Sequence, residues 1–284
     1  MNEHSRLTAV VTGASGGMGR TCARALGATM DLVLTDIATE PLNRFADTLR
    51  DEGYTILAAE AGDLGDASVL ARLTEAVRKG KGLSALVHTA GLSPAQADWK
   101  TILRVNSLIT NKLVDAMEPL LIPGTAGILI ASMAGYVNLP MPDADRLLDE
   151  AKDEAQLEQI KPFLFGFGLD GIEAEGAAAG FAYVLSKRAV IRLCERKAGL
   201  WGEHGARIVS ISPGLILTPM GRKEAQSDPR TAAILETQPI NRWGTTMDIA
   251  AAVQFLASPG ASFITGCDLR VDGGATALTR ASGV

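Results

Sequence analysis

A glycine-rich turn between a short apolar run and a helical pattern constrains the fold of this chain more than any other feature. Residues 7–11 (Leu-Thr-Ala-Val-Val) are uncharged and typical of a strand. Residues 12–19 (Thr-Gly-Ala-Ser-Gly-Gly-Met-Gly) follow directly, and a helical pattern then continues to Leu26. Glycines let such a turn approach a pyrophosphate closely, and the next helix starts with free N–H groups. The turn therefore predicts a dinucleotide site, although alone it also fits an ordinary strand–turn–helix corner.

The alternation of strands and helices continues along the chain and predicts the fold class. Strands are predicted near residues 7–12, 31–35, 54–59, 84–88, 127–132, 207–212 and 268–271. Helices are predicted near residues 18–28, 39–52, 66–79, 99–118, 181–202 and 246–257. This order indicates a single α/β domain over residues 1–284, a doubly wound parallel seven-stranded sheet of the Rossmann type with helices on both faces. Its ligand site should lie at the carboxyl ends of the strands, where the chain places Gly13, Asp36, Asp63, Gly91, Ser132 and Pro213.

Asp36 predicts which dinucleotide is preferred. It ends the second predicted strand, 17 residues after Gly19. A carboxylate at this position accepts hydrogen bonds from the adenosine ribose hydroxyls and repels a 2′-phosphate. Neither Gly16 nor Ile37 supplies a cation that would offset this repulsion. We therefore expect NAD rather than NADP, the alternative being that Asp36 only starts a turn.

A candidate catalytic pair lies in the second half of the chain. Tyr183 and Lys187 are four residues apart and share one face of a predicted helix. Ser132 ends the apolar run of residues 127–131 (Gly-Ile-Leu-Ile-Ala), which is typical of a buried strand. Taken one by one, these residues also fit a helix-surface pair and a turn serine.

Together these motifs resemble the short-chain dehydrogenase/reductase family, in the family's order and over nearly the whole chain. The matching segments are residues 12–19, Asp63-Leu64, Ala90-Gly91, Asn106, Ser132, the Tyr183/Lys187 pair, Pro213-Gly214 with Thr218, and residues 271–274 (Val-Asp-Gly-Gly). The chain departs from the family at His88 and Thr89, where the family has two asparagines.

The resemblance implies an enzyme that interconverts a secondary alcohol and a ketone with a nicotinamide cofactor. Tyr183 would accept the hydroxyl proton; a free phenol has a pKa of about 10, and the Lys187 ammonium and the charged nicotinamide favour its ionised form. Ser132 would hold the substrate oxygen, and Asn106 would organise a water that relays protons to Lys187. The implied cofactor contacts are Gly13, Ser15, Gly17, Met18, Gly19, Asp36, Ile37, Asp63, Leu64, Ala90, Gly91, Tyr183, Lys187, Pro213, Gly214, Ile216 and Thr218.

The segment between Ser132 and Tyr183 is unusually long. The interval is 51 residues, whereas the family commonly has about a dozen. Residues 143–146 (Asp-Ala-Asp-Arg) are typical of a helix start. An amphipathic stripe ended by Pro162 is expected to follow, formed by Leu147, Leu148, Ala151, Ala155 and Ile160. We predict an inserted, lid-like subregion over residues 137–180.

Three phenylalanines make this insert a candidate substrate surface. Phe163, Phe165 and Phe167 alternate with other residues in a stretch that also contains Gly166, Gly168 and Gly171. They are expected either to contact the substrate in a closing lid or to dock the insert on the body of the domain. The insert also resembles the bacterial 3α-hydroxysteroid dehydrogenase/carbonyl reductase branch. This resemblance favours a bulky apolar substrate that is steroid-like, polycyclic or terpenoid.

Two rival functions fit the same motifs. The first is a dehydrogenase of an aromatic dihydrodiol or a lignin-type alcohol. The second is a catalytically idle, NAD-binding regulatory protein, which the intact Asn106, Ser132, Tyr183 and Lys187 disfavour.

Composition excludes several other classes of protein. The net charge of −5 does not favour nucleic acid or an anionic membrane surface. Three isolated cysteines and three scattered histidines indicate reduced thiols and no metal site. The chain has no apolar stretch of spanning length and no signal peptide, so we expect a cytoplasmic protein without membrane partners. By resemblance it should form a homo-oligomer, a dimer or a tetramer, through the helices near 99–118 and 181–202, which the insert either covers or extends.

Overall fold

Seven parallel strands form one sheet in the computed structural model, which describes residues 6–166, 171–227 and 229–281. The strands are β1 (Thr8–Thr12), β2 (Asp31–Asp36), β3 (Ile56–Ala61), β4 (Leu83–His88), β5 (Leu121–Ile130), β6 (Arg207–Pro213) and β7 (Asp268–Val271). Their order in the sheet is β3-β2-β1-β4-β5-β6-β7. The chain reverses direction across the sheet between β3 and β4, so the carboxyl ends of β1 and β4 flank the switch point where ligands bind in such folds.

Helices connect the strands and cover both faces of the sheet. They are α1 (Gly17–Gly27), α2 (Thr39–Asp51), α3 (Ala67–Lys79), α4 (Trp99–Leu103), α5 (Thr110–Met117), α6 (Pro142–Glu150), α7 (Glu154–Leu157), α8 (Lys161–Leu164), α9 (Gly171–Glu203), α10 (Pro219–Ser227), α11 (Pro229–Thr237), α12 (Thr246–Ala257) and α13 (Ala275–Ala281). A π-helical turn, Arg104–Ile109, joins α4 to α5, so the predicted helix near 99–118 is interrupted. The sequence analysis did not predict α10, α11 and α13.

The central strands are buried on both faces because two separate apolar cores sandwich them. In β1, Ala9 and Val11 face a core shared with α1, α2 and α12. Val10 faces the opposite core, which α3, α5 and α9 complete. Strands buried in this way are uncharged runs without polar alternation, which is why the sequence of β1 predicted its position. The predicted Rossmann-type, doubly wound sheet is confirmed.

Several predicted boundaries are wrong. The strand predicted at 127–132 is Leu121–Ile130, so Ser132 follows β5 by two residues and does not end it. The strand predicted at 54–59 is Ile56–Ala61. The helix predicted at 181–202 begins ten residues earlier, at Gly171. Its extra turns are rich in alanine and glycine, so they show little of the apolar periodicity that sequence analysis relies on.

The insert forms short helices and not one amphipathic helix. α6 ends at Glu150, and α7 and α8 contain four residues each. Pro162 does not end a helix, because it lies in the first turn of α8, where a missing N–H costs no hydrogen bond. Apolar side chains of α6, α7 and α8 pack with those of α4 and α9 in a third core.

An ionic ladder ties the insert to α9. The Arg188 Nε donates to the Asp145 Oδ1 at 3.0 Å. Asp149 accepts hydrogen bonds from the Arg192 Nε at 2.9 Å and pairs with the Arg196 Nη1 at 2.8 Å. The three arginines are spaced four residues apart and the two aspartates likewise, so they form facing stripes on two helices. The insert is therefore fixed along the helix that carries Tyr183 and Lys187.

No helix in the described ranges has the length and apolar character needed to cross a membrane.

Candidate active site

The glycine-rich turn brings β1, α1 and β4 together. Gly13 has φ +61°, and a Cβ there would lie 2.8 Å from the backbone nitrogen of Ala90. A Cβ at Gly19 would lie 2.1 Å from the Gly13 carbonyl oxygen, so only glycine fits. No side chain caps the start of α1 and its first turn holds no acidic residue. The positive end of the helix dipole and its N–H groups are thus suited to a pyrophosphate.

Asp36 lies at the end of β2 against the same turn. Its Oδ2 accepts hydrogen bonds from the Ser15 backbone N–H at 2.9 Å and from the Ser15 hydroxyl at 2.7 Å. Both of these donors are neutral, so neither offsets the charge of the carboxylate. The neighbouring Ile37 is exposed, which leaves an apolar side chain beside this carboxylate. Arg20, which no sequence motif marks, donates from its Nε to the Ser15 carbonyl oxygen at 2.7 Å and so brings a cation to the same turn.

Asp63, the second candidate carboxylate, is an ion-pair partner. Its Oδ1 accepts from the Gly65 N–H at 2.7 Å, and its Oδ2 lies 2.7 Å from the Arg104 Nη2. The Arg104 Nε also donates to Glu154 of α7 at 2.6 Å. Arg104 therefore joins the predicted adenine pocket to the insert. No local pattern marks this arginine, because its partners are 41 and 50 residues away along the chain. Leu64 is buried beneath.

Asn106 and Lys187 converge at Gly91, which follows β4. A Cβ on Gly91 would lie 3.3 Å from both the Asn106 Oδ1 and the Lys187 Nζ. The Lys187 Nζ donates to the carbonyl oxygen of Ile130 at 3.1 Å and lies 5.8 Å from the centroid of the Tyr183 ring. Both Asn106 and Lys187 are buried. The structure thus places an amide and an ammonium at one glycine at the carboxyl end of the sheet, with the Tyr183 ring beside the ammonium.

The amide of Asn106 is occupied by structural hydrogen bonds. Its Oδ1 accepts from the Leu92 N–H at 2.8 Å, and its Nδ2 donates to the Leu92 carbonyl oxygen at 2.9 Å. The Nδ2 also lies 3.1 Å from the Ser186 hydroxyl. Asn106 therefore fixes the loop after β4 to the turn of α9 that carries Lys187.

Ser132 lies on a short turn that packs on α9. Its hydroxyl oxygen accepts from the Ala134 N–H at 3.1 Å. A Cβ on Gly135 would lie 3.1 Å from the Arg188 nitrogen and from the Lys187 carbonyl carbon, so the turn fits closely against the backbone of α9. The helix that follows the insert, α9, therefore packs on the turn of Ser132 with the segment that carries Tyr183 and Lys187.

The segment after β6 closes the site on the side of α1. A Cβ on Gly214 would lie 2.7 Å from the Asp272 Cα, so Pro213-Gly214 fits against the motif of residues 271–274. The Thr218 side chain approaches Gly17 closely, with its Cγ2 3.0 Å from a Cβ built there. Met18 packs against the core behind the turn. Thr218 and Ile216 are buried.

The phenylalanines of the insert pack against protein. The Phe165 ring meets Trp99 of α4 edge to face, with centroids 6.3 Å apart and planes at 82°. Phe163 is half-buried against the same core. These are the contacts expected of rings that dock the insert. Phe167 lies outside the described residues.

None of the described His, Cys, Asp and Glu side chains gather in a group of three or more that could hold a metal ion. The three cysteines are free thiols. Burial raises the pKa of Cys22 to about 12 and also raises that of Cys194, so neither is a nucleophile near neutral pH.

Comparison with known proteins shows the family. A family model described as "short chain dehydrogenase" matches residues 7–143, and one described as "Enoyl-(Acyl carrier protein) reductase" matches residues 170–276. The chain is 30% identical to 3-alpha-hydroxysteroid dehydrogenase/carbonyl reductase of Comamonas testosteroni over 77% of its own length and 86% of that protein. It is also 30% identical to galactitol 2-dehydrogenase of Rhizobium johnstonii, over 94% of each chain. The chain belongs to the short-chain dehydrogenase/reductase family.

Solved structures share the fold. A variant of actinorhodin polyketide ketoreductase with NADPH superposes with a TM-score of 0.74 at 21% identity, over 97% of this chain and 99% of that one. Membership establishes an oxidoreductase of alcohols and ketones that uses a nicotinamide cofactor.

Proposed function

We propose that this enzyme interconverts a secondary alcohol and a ketone with NAD(H), using Tyr183, Lys187, Ser132 and Asn106. The observation that carries the proposal is the convergence of the Asn106 and Lys187 side chains at Gly91, beside the Tyr183 ring. The bound nicotinamide supplies hydride transfer. Tyr183 holds the proton that leaves or joins the substrate oxygen, and the Lys187 ammonium favours its phenolate. Ser132 donates to the substrate oxygen and stabilises its developing charge.

The preference for NAD rests on Asp36. Its carboxylate is held by two neutral donors of Ser15, at 2.9 and 2.7 Å, so it presents negative charge where a 2′-phosphate would lie. Arg20 is a cation on the same turn, and its charge would attract a 2′-phosphate and so oppose the repulsion by Asp36. Its guanidinium is engaged by the Ser15 carbonyl oxygen and lies over the Phe45 ring, 5.3 Å from the centroid. We therefore assign discrimination to Asp36.

We propose a bulky apolar substrate, steroid-like, polycyclic or terpenoid. Support comes from the insert between Ser132 and Tyr183, with its three phenylalanines, and from the similarity to the Comamonas testosteroni protein. In this proposal residues 137–180 are a lid-like subregion, and Phe163, Phe165 and Phe167 contact the substrate together with Ser132 and Tyr183.

A sugar alcohol is the second candidate substrate. The observation that favours it is that the galactitol 2-dehydrogenase matches 94% of this chain, whereas the hydroxysteroid relative matches 77%. A dihydrodiol or a lignin-type alcohol would fit the same catalytic residues, and an idle NAD-binding role would keep the same cofactor turn.

A substrate panel tests the proposal. The protein is assayed at 340 nm with NAD or NADP and with androsterone, a lignin-type benzylic alcohol, an aromatic dihydrodiol, galactitol and D-threitol. We expect the highest kcat/KM with androsterone and NAD. Preferred turnover of galactitol would replace the substrate assignment, and turnover of none would favour the regulatory role.

Tyr183→Phe tests the catalytic assignment. It keeps the ring and removes the hydroxyl, so turnover should fall by about three orders of magnitude or more while NAD binding stays within about twofold. Tyr54→Phe, far from the site on the loop before β3, is the matched control. Retained activity in Tyr183→Phe would refute the assigned proton carrier.

A further inference from the structure

A buried histidine links the cofactor turn to the start of α5, at a position where the family has asparagine. His88 is the last residue of β4 and is 2% exposed. Its Nδ1 lies 2.7 Å from the Thr12 hydroxyl oxygen at the start of the glycine turn. Its Nε2 lies 2.9 Å from the Thr110 hydroxyl oxygen at the start of α5. Both nitrogens are therefore satisfied by threonines from different elements.

The hydrogen bonds around the ring allow one arrangement of protons. The Thr110 hydroxyl donates to the Asn106 carbonyl oxygen at 2.9 Å. Since a hydroxyl has one hydrogen, the Thr110 oxygen must accept from His88, which places the ring proton on Nε2. Nδ1 then accepts from the Thr12 hydroxyl. The result is a chain of hydrogen bonds in which Thr12 donates to His88, His88 to Thr110, and Thr110 to the Asn106 carbonyl.

The ring remains neutral in this chain. Burial lowers the pKa of His88 to about 3, and the positive charge of Lys187 adds to the effect. A protonated ring would also place a second N–H against Thr12, whose hydroxyl would then have to turn its hydrogen away. The donors and acceptors of this hydrogen-bond chain therefore keep the same roles across the working pH range.

The hydrogen-bond chain ends at the backbone carbonyl of Asn106, and the side chain of this residue has other partners. The amide of Asn106 is held by Leu92 and Ser186. Its backbone carbonyl lies in the π-helical turn Arg104–Ile109, where regular helical hydrogen bonding is interrupted. A threonine hydroxyl bonded to the carbonyl four residues earlier bends a helix and fixes that oxygen.

We infer that His88 is a positioning residue that orients the Asn106 carbonyl, through Thr110, for proton exchange between Lys187 and solvent. The inference rests on the proposed catalytic roles of Asn106 and Lys187. The second departure from the family supports it, because the Thr89 hydroxyl donates to the Thr12 carbonyl oxygen at 2.7 Å. The two replacements therefore hold Thr12 from its side chain and from its backbone.

The test compares a variant that lacks the Thr110 hydroxyl with one that keeps it. Thr110→Val keeps the shape of the side chain and abolishes both hydrogen bonds, whereas Thr110→Ser keeps the hydroxyl. His88→Leu removes the ring. Each variant is assayed with NAD and the best alcohol of the panel (androsterone in the proposed case), protiated and deuterated at the carbinol carbon, in H2O and D2O.

The inference predicts that proton transfer becomes limiting. Thr110→Val and His88→Leu should lower kcat about tenfold or more, a part of the 10²–10⁴ that general acid–base catalysis contributes. Their solvent isotope effect should rise and their carbinol isotope effect should fall. NAD affinity should stay within about twofold in Thr110→Val, which leaves the contact of His88 with Thr12 in place. Thr110→Ser should keep the kinetics of the unmodified enzyme.

Two outcomes would overturn the inference. One is an unchanged kcat and unchanged isotope effects in Thr110→Val. The other is a lower kcat with both isotope effects unchanged, which would mean a purely structural role. If His88→Leu does not fold, the comparison of Thr110→Val with Thr110→Ser decides whether the inference holds. Tyr183→Phe is measured in parallel: an inactive Tyr183→Phe beside a fully active Thr110→Val rejects only the His88 inference, whereas an active Tyr183→Phe rejects the proposed function.

Discussion

Two aspartates at strand ends look alike in the sequence and differ in their partners. Asp36 is held by the backbone and hydroxyl of Ser15, which carry no charge. Asp63 pairs with Arg104, so its charge is already balanced by a cation. A carboxylate that discriminates against a 2′-phosphate must keep its charge uncompensated. Of the two, we therefore expect only Asp36 to set the choice between NAD and NADP.

Asp36→Ala should weaken NAD and relax discrimination. Loss of charged hydrogen bonds to the ribose costs about 1.5–3 kcal/mol, which corresponds to a roughly tenfold to hundredfold higher Kd. The Kd for NADP should fall, and Arg20→Ala in the same background should reverse that gain. Both are measured by isothermal titration calorimetry, with Asp51→Ala, an exposed carboxylate at the end of α2, as control. Equal or tighter binding of NADP by the unmodified protein would exclude the assignment.

The buried His88 should also make the fold sensitive to acid. Its pKa is lowered from 6.5 to about 3 in the folded protein. Between these values the unfolded chain binds a proton that the folded chain does not, so stability is present above about pH 6.5 and is lost as the pH falls toward 3. The slope is at most about 1.4 kcal/mol per pH unit.

His88→Gln should flatten that part of the pH profile. Urea unfolding between about pH 4 and pH 7 measures the free energy of unfolding of both proteins. Subtracting the two curves removes the contribution of carboxylates such as Asp272, whose pKa is lowered chiefly by hydrogen bonds from Thr276 and Gly274 against the opposing effect of burial. His204→Gln, at an exposed histidine, is the control. Parallel curves for His88→Gln and the unmodified protein would contradict the prediction.

At the scale of elements, the insert is where sequence and structure agree least. The strands β1 and β2 and the helices α1, α2 and α3 follow from apolar periodicity, because each buries one face against a nearby partner. The apolar residues of the insert pack against α4 and α9. Its contacts with α4 join residues that are about fifty positions apart in the sequence. Three separate short helices do not share one period, so no local pattern could place them.

The candidate site also contains residues that the sequence predicts and residues that it does not. Gly13, Asp36, Asn106, Ser132, Tyr183 and Lys187 were predictable, because they stand in fixed motifs at strand ends or one helical turn apart. Arg104 and Thr110 were not, since their roles depend on partners that only the folded chain brings near, namely Asp63 and His88. Motifs therefore predicted the residues of the proposed chemistry, and tertiary contacts supplied those that hold them.

The lid proposal predicts a kinetic effect of the insert phenylalanines. Phe163→Ala, Phe165→Ala and Phe167→Ala should each raise KM for androsterone several-fold, since lost apolar contact costs about 25 cal/mol per Å². NAD affinity should stay constant. The Phe165 variant should also lose roughly 1 kcal/mol of stability through its edge contact with Trp99. Leu57→Ala, on the exposed side of β3, is the control. A normal KM in all three variants with a lowered Tm would leave docking as the role of these rings.

At the scale of the whole molecule, the sheet has an open edge at β7. β7 is the last strand of the sheet and carries the exposed Leu269. The fully exposed Phe263 precedes β7 by five residues, and α12, which carries Phe255 at 48% exposure, packs against β7. Unpaired strand edges and clustered apolar groups are typical of association surfaces. The insert occupies part of the α4 and α9 surface, which the sequence analysis had assigned to assembly. We therefore propose a homodimer formed at the β7 edge.

Light scattering distinguishes the two surfaces. Phe263→Glu places a charge at the β7 edge and should convert the dimer to monomer at micromolar concentration. Leu200→Glu places the same charge on the exposed side of α9 and should leave the dimer intact. Dissociation by Leu200→Glu alone would return the interface to the helices, and a monomeric unmodified protein would refute assembly altogether.

The two-ended attachment of the insert has a consequence for chain entropy. Lengthening the connection between two fixed points from about a dozen residues to 51 costs only about 1.2 kcal/mol, because closure entropy grows with the logarithm of length. The ladder of Asp145 and Asp149 with the arginines of α9, and the core beneath it, offset this cost. The stretch between Ser132 and Tyr183 is thus a place where new sequence can be grafted with little loss of foldability, provided that it brings its own anchors to α9.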